Sequence, residues 1–73
     1  MSLMFGEHLR FLRTSRTEMS QTEVAKLLNI ERSTYTNYEL GKTEPPMETL
    51  KKIAGIFGIS VDRLVYWEHN KFI

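Results

Sequence analysis

Between Glu31 and Leu40 the chain carries Arg32, Ser33, Thr34, Thr36 and Asn37, side chains that are short or rich in hydrogen-bonding groups. Their types suit contact with a nucleic-acid duplex. An arginine can hold O6 and N7 of guanine, and an asparagine N6 and N7 of adenine. Ser33 is short enough to let a helix approach closely, and Thr34 and Thr36 suit phosphate oxygens better than base edges. A merely solvated helix face would carry more Lys and Glu and fewer of the helix-weak Thr and Asn. Glu31 has two readings, an acceptor for cytosine N4 or a charge favouring the helix dipole. Lys42, after Gly41, suits a phosphate, as does the backbone around Thr43. Tyr35 and Tyr38, three apart, are the large apolar anchors of this stretch and belong in a core; the Tyr38 hydroxyl could still reach a phosphate.

Such a face must be held outward by other elements. The preceding stretch, Ser20 to Leu28, suits a short amphipathic helix with Val24, Leu27 and Leu28 on one face. Ser20 is a good N-cap, and Glu23 three residues later completes a capping box. Asn29 tolerates the left-handed conformation that often ends a helix, and Ile30 then packs in the corner. Two helices at this spacing form a helix-turn-helix, whose second helix can lie in a DNA major groove. Gln21 stands at the N-terminus of the first of them, where anions are favoured.

The segment SQTEVAKLLNIERSTYTNYELGKTEPP resembles the helix-turn-helix of the phage Cro and cI repressor family, regulators of the xenobiotic-response-element-like type. The residues that carry the resemblance are Ser20 and Gln21, Ala25, Leu28-Asn29-Ile30, Ser33 and Thr34, Glu39-Leu40-Gly41-Lys42, and Pro45 with Pro46. It continues through METLKKIAGIFGISVDRLV, so it covers nearly the whole chain. Two departures are Asn29 in place of the usual turn glycine, and a link Thr17-Glu18-Met19 that lacks glycine and looks one residue long. The resemblance implies that Arg32, Ser33 and Asn37 read base edges. It implies that Gln21 holds a phosphate and braces a base-contacting side chain; Thr22, Thr34, Thr36, Lys42 and Thr43 join it as phosphate or bracing contacts. It also implies a partly buried ion pair between Arg13 and Glu39, fixing the first helix against the reading helix.

Around this motif the apolar spacing predicts three more helices. Phe5 to Arg16 places Phe5, Leu9 and Leu12 on one stripe, with Phe11 off it and expected against the C-terminal segment. Arg10 and Arg16 are expected to be exposed. After the Lys42–Pro46 loop, Met47, Leu50, Ile53, Ala54 and Phe57 form the stripe of a fourth helix, with Pro46 suiting its first turn and Gly58 its stop. Ser60 caps a fifth helix, whose Val61, Leu64 and Val65 share a face and whose Asp62 complements the dipole. The expected fold is all-α: a compact five-helix bundle containing a helix-turn-helix, the architecture of lambda-repressor-like DNA-binding domains. Residues 1–4 are expected to be a disordered or cloning-derived start, 5–66 the DNA-binding domain, and 67–73 an aromatic tail that closes the core or contacts a second copy.

At 73 residues the chain has room for one domain with a small core. It has no cysteine, which excludes disulfides and thiolate metal sites and fits a reducing cytoplasm. No apolar run approaches the ~20 residues that span a bilayer. The net charge of +1 makes any basic attraction local, so specificity must lean on groove contacts and dimerisation. His8 and His69 lie at opposite ends, outside any metal-ligand or triad spacing, and no glycine-rich phosphate loop is present, so an enzyme is not expected. The expected function is a cytoplasmic, dimeric, double-stranded-DNA-binding transcriptional regulator, foremost a repressor, without a cofactor. The alternative is an antitoxin-like or regulatory module on the same fold that binds a protein partner, with DNA binding secondary, for which the tail Tyr66, Trp67, Phe72 and Ile73 is the candidate surface.

Overall fold

The computed structural model of the chain describes residues 3–66. Among them run five helices: α1 Leu3–Arg16, α2 Gln21–Leu28, α3 Arg32–Leu40, α4 Met47–Phe57 and α5 Val61–Val65. The described residues include no strand. α3 is the hub of one side, packed on by α1 and α2, while α4 and α5 pack on each other and close over α1. α1 starts two residues before the expected Phe5, so Met4, assigned to a loose start, is helical. The expected aromatic tail, residues 67–73, lies outside the described residues.

The core follows the helical periodicity. Phe5, Leu9 and Leu12 of α1 meet Val24, Ala25 and Leu28 of α2, the two tyrosines of α3, Leu50, Ile53, Ala54 and Phe57 of α4, and Leu64 of α5. Burying each large side chain contributes about 1.5–3 kcal/mol. Two expected core residues are not in it. Leu27 is 61% exposed, because α2 turns Val24, Ala25 and Leu28 toward its neighbours and the small Ala25 takes the place given to Leu27. Met47 is 57% exposed, because it is the first residue of α4 and that turn overhangs the core. Phe11 is exposed as well; its expected partner, the C-terminal segment, is outside the described residues.

The helix ends obey local rules. Ser20 accepts from the Glu23 amide and Glu23 accepts from the Ser20 amide at 2.7 Å, the two halves of the capping box. Ser60 accepts from the Arg63 amide at the start of α5. Asn29 has φ 59°, and the Ile30 amide reaches back to the Ala25 carbonyl at 3.0 Å. Gly41 and Gly58 end α3 and α4 in the same left-handed way. Pro46 precedes α4 at the cap position rather than within its first turn. Arg16, exposed as expected, nonetheless donates from Nη1 to the Phe57 carbonyl at 3.2 Å, a cationic cap on the C-terminus of α4.

Gly6 governs how closely α1 approaches α3. A Cβ there would run into the Glu39 carbonyl and lie 2.9 Å from the Gly41 nitrogen. The absence of a side chain lets the α1 backbone touch the last turn of α3.

Candidate nucleic-acid interface

The inner face of α3 is fastened by one carboxylate. Glu39 has a side chain only 2% exposed, and it accepts from four donors. Its Oε2 receives Arg13 Nε at 2.8 Å and the Tyr35 hydroxyl at 2.6 Å. Its Oε1 receives Gln21 Nε2 at 2.9 Å and Arg13 Nη2 at 3.3 Å. Arg13 also donates from Nη1 to the Met19 carbonyl at 3.1 Å, which ties down the link between α1 and α2. One carboxylate on α3 thereby joins α1, α2 and α3.

The electrostatics agree with an ionised, saturated centre. Burial pushes the Glu39 carboxyl up, but the hydrogen bonds from Arg13, Tyr35 and Gln21 outweigh it and hold it below its ordinary value. The bond to Glu39 raises the Arg13 guanidinium. Burial, with the carboxylate beside it, pushes the Tyr35 phenol far up, so Tyr35 stays a neutral donor. A cleft of about 380 Å³ beside this centre is lined by Glu7, Arg10, Arg13, Gln21, Glu39 and Leu40. Its two arginines and two glutamates offset each other.

With Tyr35, Tyr38 and Glu39 turned inward, helical spacing sends the other residues of α3 outward. Arg32 and Ser33 are exposed on its first turn, and Asn37, one turn on from Ser33, is half-buried beside them. The exposed Leu40 continues that row, an apolar group that sequence reasoning did not single out. Thr34 and Thr36 are half-buried on the two flanks. Thr36 donates its hydroxyl to Gln21 Oε1 at 3.0 Å. Gln21 is half-buried, and Thr22 is exposed on the first turn of α2. Lys42 and Thr43 are exposed just past α3. The structure therefore brings Arg32, Ser33, Asn37, Thr36 and Gln21 to one side of the helix-turn-helix, with Lys42 and Thr43 at its far end. Sequence reasoning missed Tyr35 as a donor to Glu39, and Gln21 as the bridge between Glu39 and Thr36. The spacing of Tyr35 and Glu39, one helical turn, was the available signal for the first; nothing in the sequence announces the second.

A helix-turn-helix family model matches residues 9–64. The chain belongs to the helix-turn-helix family. It is 45% identical over 69 residues to the SPbeta prophage-derived HTH-type transcriptional regulator YonR of Bacillus subtilis, covering 94% of this chain and 63% of the relative. It is 37% identical to the cryptic phage CTXphi transcriptional repressor RstR of Vibrio cholerae, covering 85% of this chain and 55% of that one. The chain thus spans about three-fifths of the length of these curated relatives. Among solved structures it is similar to the restriction-modification controller protein C.AhdI of Aeromonas hydrophila, with a TM-score of 0.76, 31% identity, and coverage of 85% of this chain and 88% of that one. The P22 c2 repressor, solved with a synthetic operator, shares the fold at a TM-score of 0.80 and 23% identity, over 88% of this chain and 96% of that one. The expected all-α helix-turn-helix architecture is the one found, and the relatives are transcription regulators, a class that is not enzymatic. Among the described residues no helix is long and apolar enough to cross a membrane.

Proposed function

We propose that this chain binds double-stranded DNA as a cytoplasmic transcriptional regulator, and that it acts as a repressor by occupying promoter DNA. α3 enters the major groove, which admits a helix of this width. Arg32, Ser33 and Asn37 read base edges; Gln21, Thr22, Thr34, Lys42 and Thr43 position the domain on the phosphates. The observation that carries this reading is the division of α3 into two faces. Its inner face is fastened through Tyr35, Tyr38 and Glu39, while Arg32 and Ser33 stand exposed at the end that leads into a groove. The name of the similar RstR favours a repressor. A homodimer would read two half-sites ~34 Å apart, one helical turn. The alternative, a module docking a regulatory protein, rests on Tyr66, Trp67, Phe72 and Ile73, of which Tyr66 is exposed and the other three lie outside the described residues.

The test is selection from a pool of random duplexes at moderate salt, with the wild type and an Arg32→Ala, Asn37→Ala double variant. The expected result is a short two-fold symmetric sequence enriched by the wild type alone. Enrichment of the same sequences by both proteins, or of none, overturns the assignment of α3 as the reading helix.

A further inference from the structure

Gln21 and Thr36 meet where the N-terminus of α2 crosses α3, and the direction of their hydrogen bonds is dictated from inside the fold. A carboxylate accepts and never donates, and each Glu39 oxygen already holds two donors. Only the nitrogen end of the Gln21 amide can therefore face Glu39. The amide oxygen then faces outward, and the hydroxyl of Thr36 supplies the hydrogen between them at 3.0 Å. A hydroxyl has one hydrogen to give, and a phosphate oxygen offers none. Thr36, engaged in this way, has nothing to donate to a phosphate, contrary to what its residue type suggests.

We propose that Thr36 and Gln21 form a positioning pair that sets the rotation of α3 about its own axis, Thr36 giving no hydrogen to a phosphate. This rests on the major-groove reading of α3. Thr36 lies one turn after Arg32 and three residues after Ser33, on the flank between the fastened and the outward faces. A bond at that flank resists rolling of the helix. Rolling by about 10° moves a side-chain tip ~1 Å at the 5–6 Å radius of a helix with its side chains, enough to spoil a hydrogen bond to a base edge.

The experiment measures affinity of the full chain for two duplexes across a range of salt concentrations: one selected by the wild type from the random pool, and a scrambled version of it. The proteins are wild type, Thr36→Val, Thr36→Ser, Gln21→Ala and the Thr36→Val, Gln21→Ala double variant, each with its melting temperature. Thr36→Val is expected to lose about five- to tenfold in affinity for the selected duplex, the size of one net hydrogen bond, with scrambled binding and salt slope unchanged. Thr36→Ser restores most of the loss, and the double variant binds no more weakly than Gln21→Ala. A Thr36→Val protein weakened equally on both duplexes, with a salt slope smaller by about one, makes Thr36 a phosphate contact and overturns the proposal. So do fully additive losses, and so does a lowered melting temperature with unaltered affinity of the folded protein. If the wild type discriminates and Thr36→Val discriminates equally well, the pair alone fails; if the wild type prefers neither duplex, the groove reading fails and takes the pair with it.

Discussion

Glu39→Gln isolates the charge of the central carboxylate from its shape. The substituted amide has the same volume but can accept through only one oxygen. Its NH₂ group then faces two donors, either Arg13 Nε with the Tyr35 hydroxyl or Arg13 Nη2 with Gln21. Arg13, whose side chain is 14% exposed, loses its counter-ion. Removing one partner of a buried ion pair costs about 3–5 kcal/mol. The oxygen that remains, the Met19 carbonyl and the partial exposure of Arg13 reduce this to about 2–4 kcal/mol. A domain of 73 residues is stable by about 4–11 kcal/mol, at ~0.05–0.15 kcal/mol per residue. Glu39→Gln therefore removes a large part of the total and lowers the melting temperature by roughly 8–30 °C. Urea unfolding followed by circular dichroism measures it, with Arg13→Met and the double variant completing a cycle. The double variant is expected to cost well under the sum of the singles, since no charge is then left buried alone. A loss under about 1 kcal/mol for Glu39→Gln, or single losses that add to within ~0.5 kcal/mol, refutes the reasoning.

Gly6→Ala should destabilise the fold although alanine is the better helix former, because its methyl group meets the backbone at Glu39 and Gly41. A loss of about 1–3 kcal/mol by thermal unfolding is expected, and an unchanged or raised stability removes the claimed close approach. Stability should also fall in two steps as pH drops. Burial lowers the pKa of His8 from its ordinary 6.5, against a backbone hydrogen bond with Arg63 that raises it, so below pH 6.5 the unfolded chain takes up a proton first and folding weakens. Glu39, held below its ordinary 4.5, adds a second loss as pH passes under that value. The urea midpoint followed from pH 8 to 3 should lose its first step in His8→Gln and keep the second; a first step that survives in that variant assigns it elsewhere.

How much of this was legible in the sequence depends on how far apart the interacting residues are. The capping box at Ser20 and Glu23, the left-handed Asn29, and the stops at Gly41 and Gly58 are decided within a few residues, and the chain states them openly. The stripes of α1 and α4 were readable for the same reason, since periodicity is a local signal. Leu27 and Met47 mark its limit: a stripe says which residues share a face, and the neighbours decide how much of that face is covered. The meeting of Arg13 with Glu39, 26 residues apart, came only from the resemblance to a known motif. Gln21 shows why resemblance also has a limit. Its amide could face either way in isolation, and the resemblance gave it a phosphate to hold and a side chain to brace without saying which end does which. The saturation of Glu39, which takes side chains from three helices, turns the Gln21 amide nitrogen inward and its oxygen toward Thr36, a partner that the resemblance did not name. The partners of Glu39 come from three different helices, so they meet only once the helices are packed.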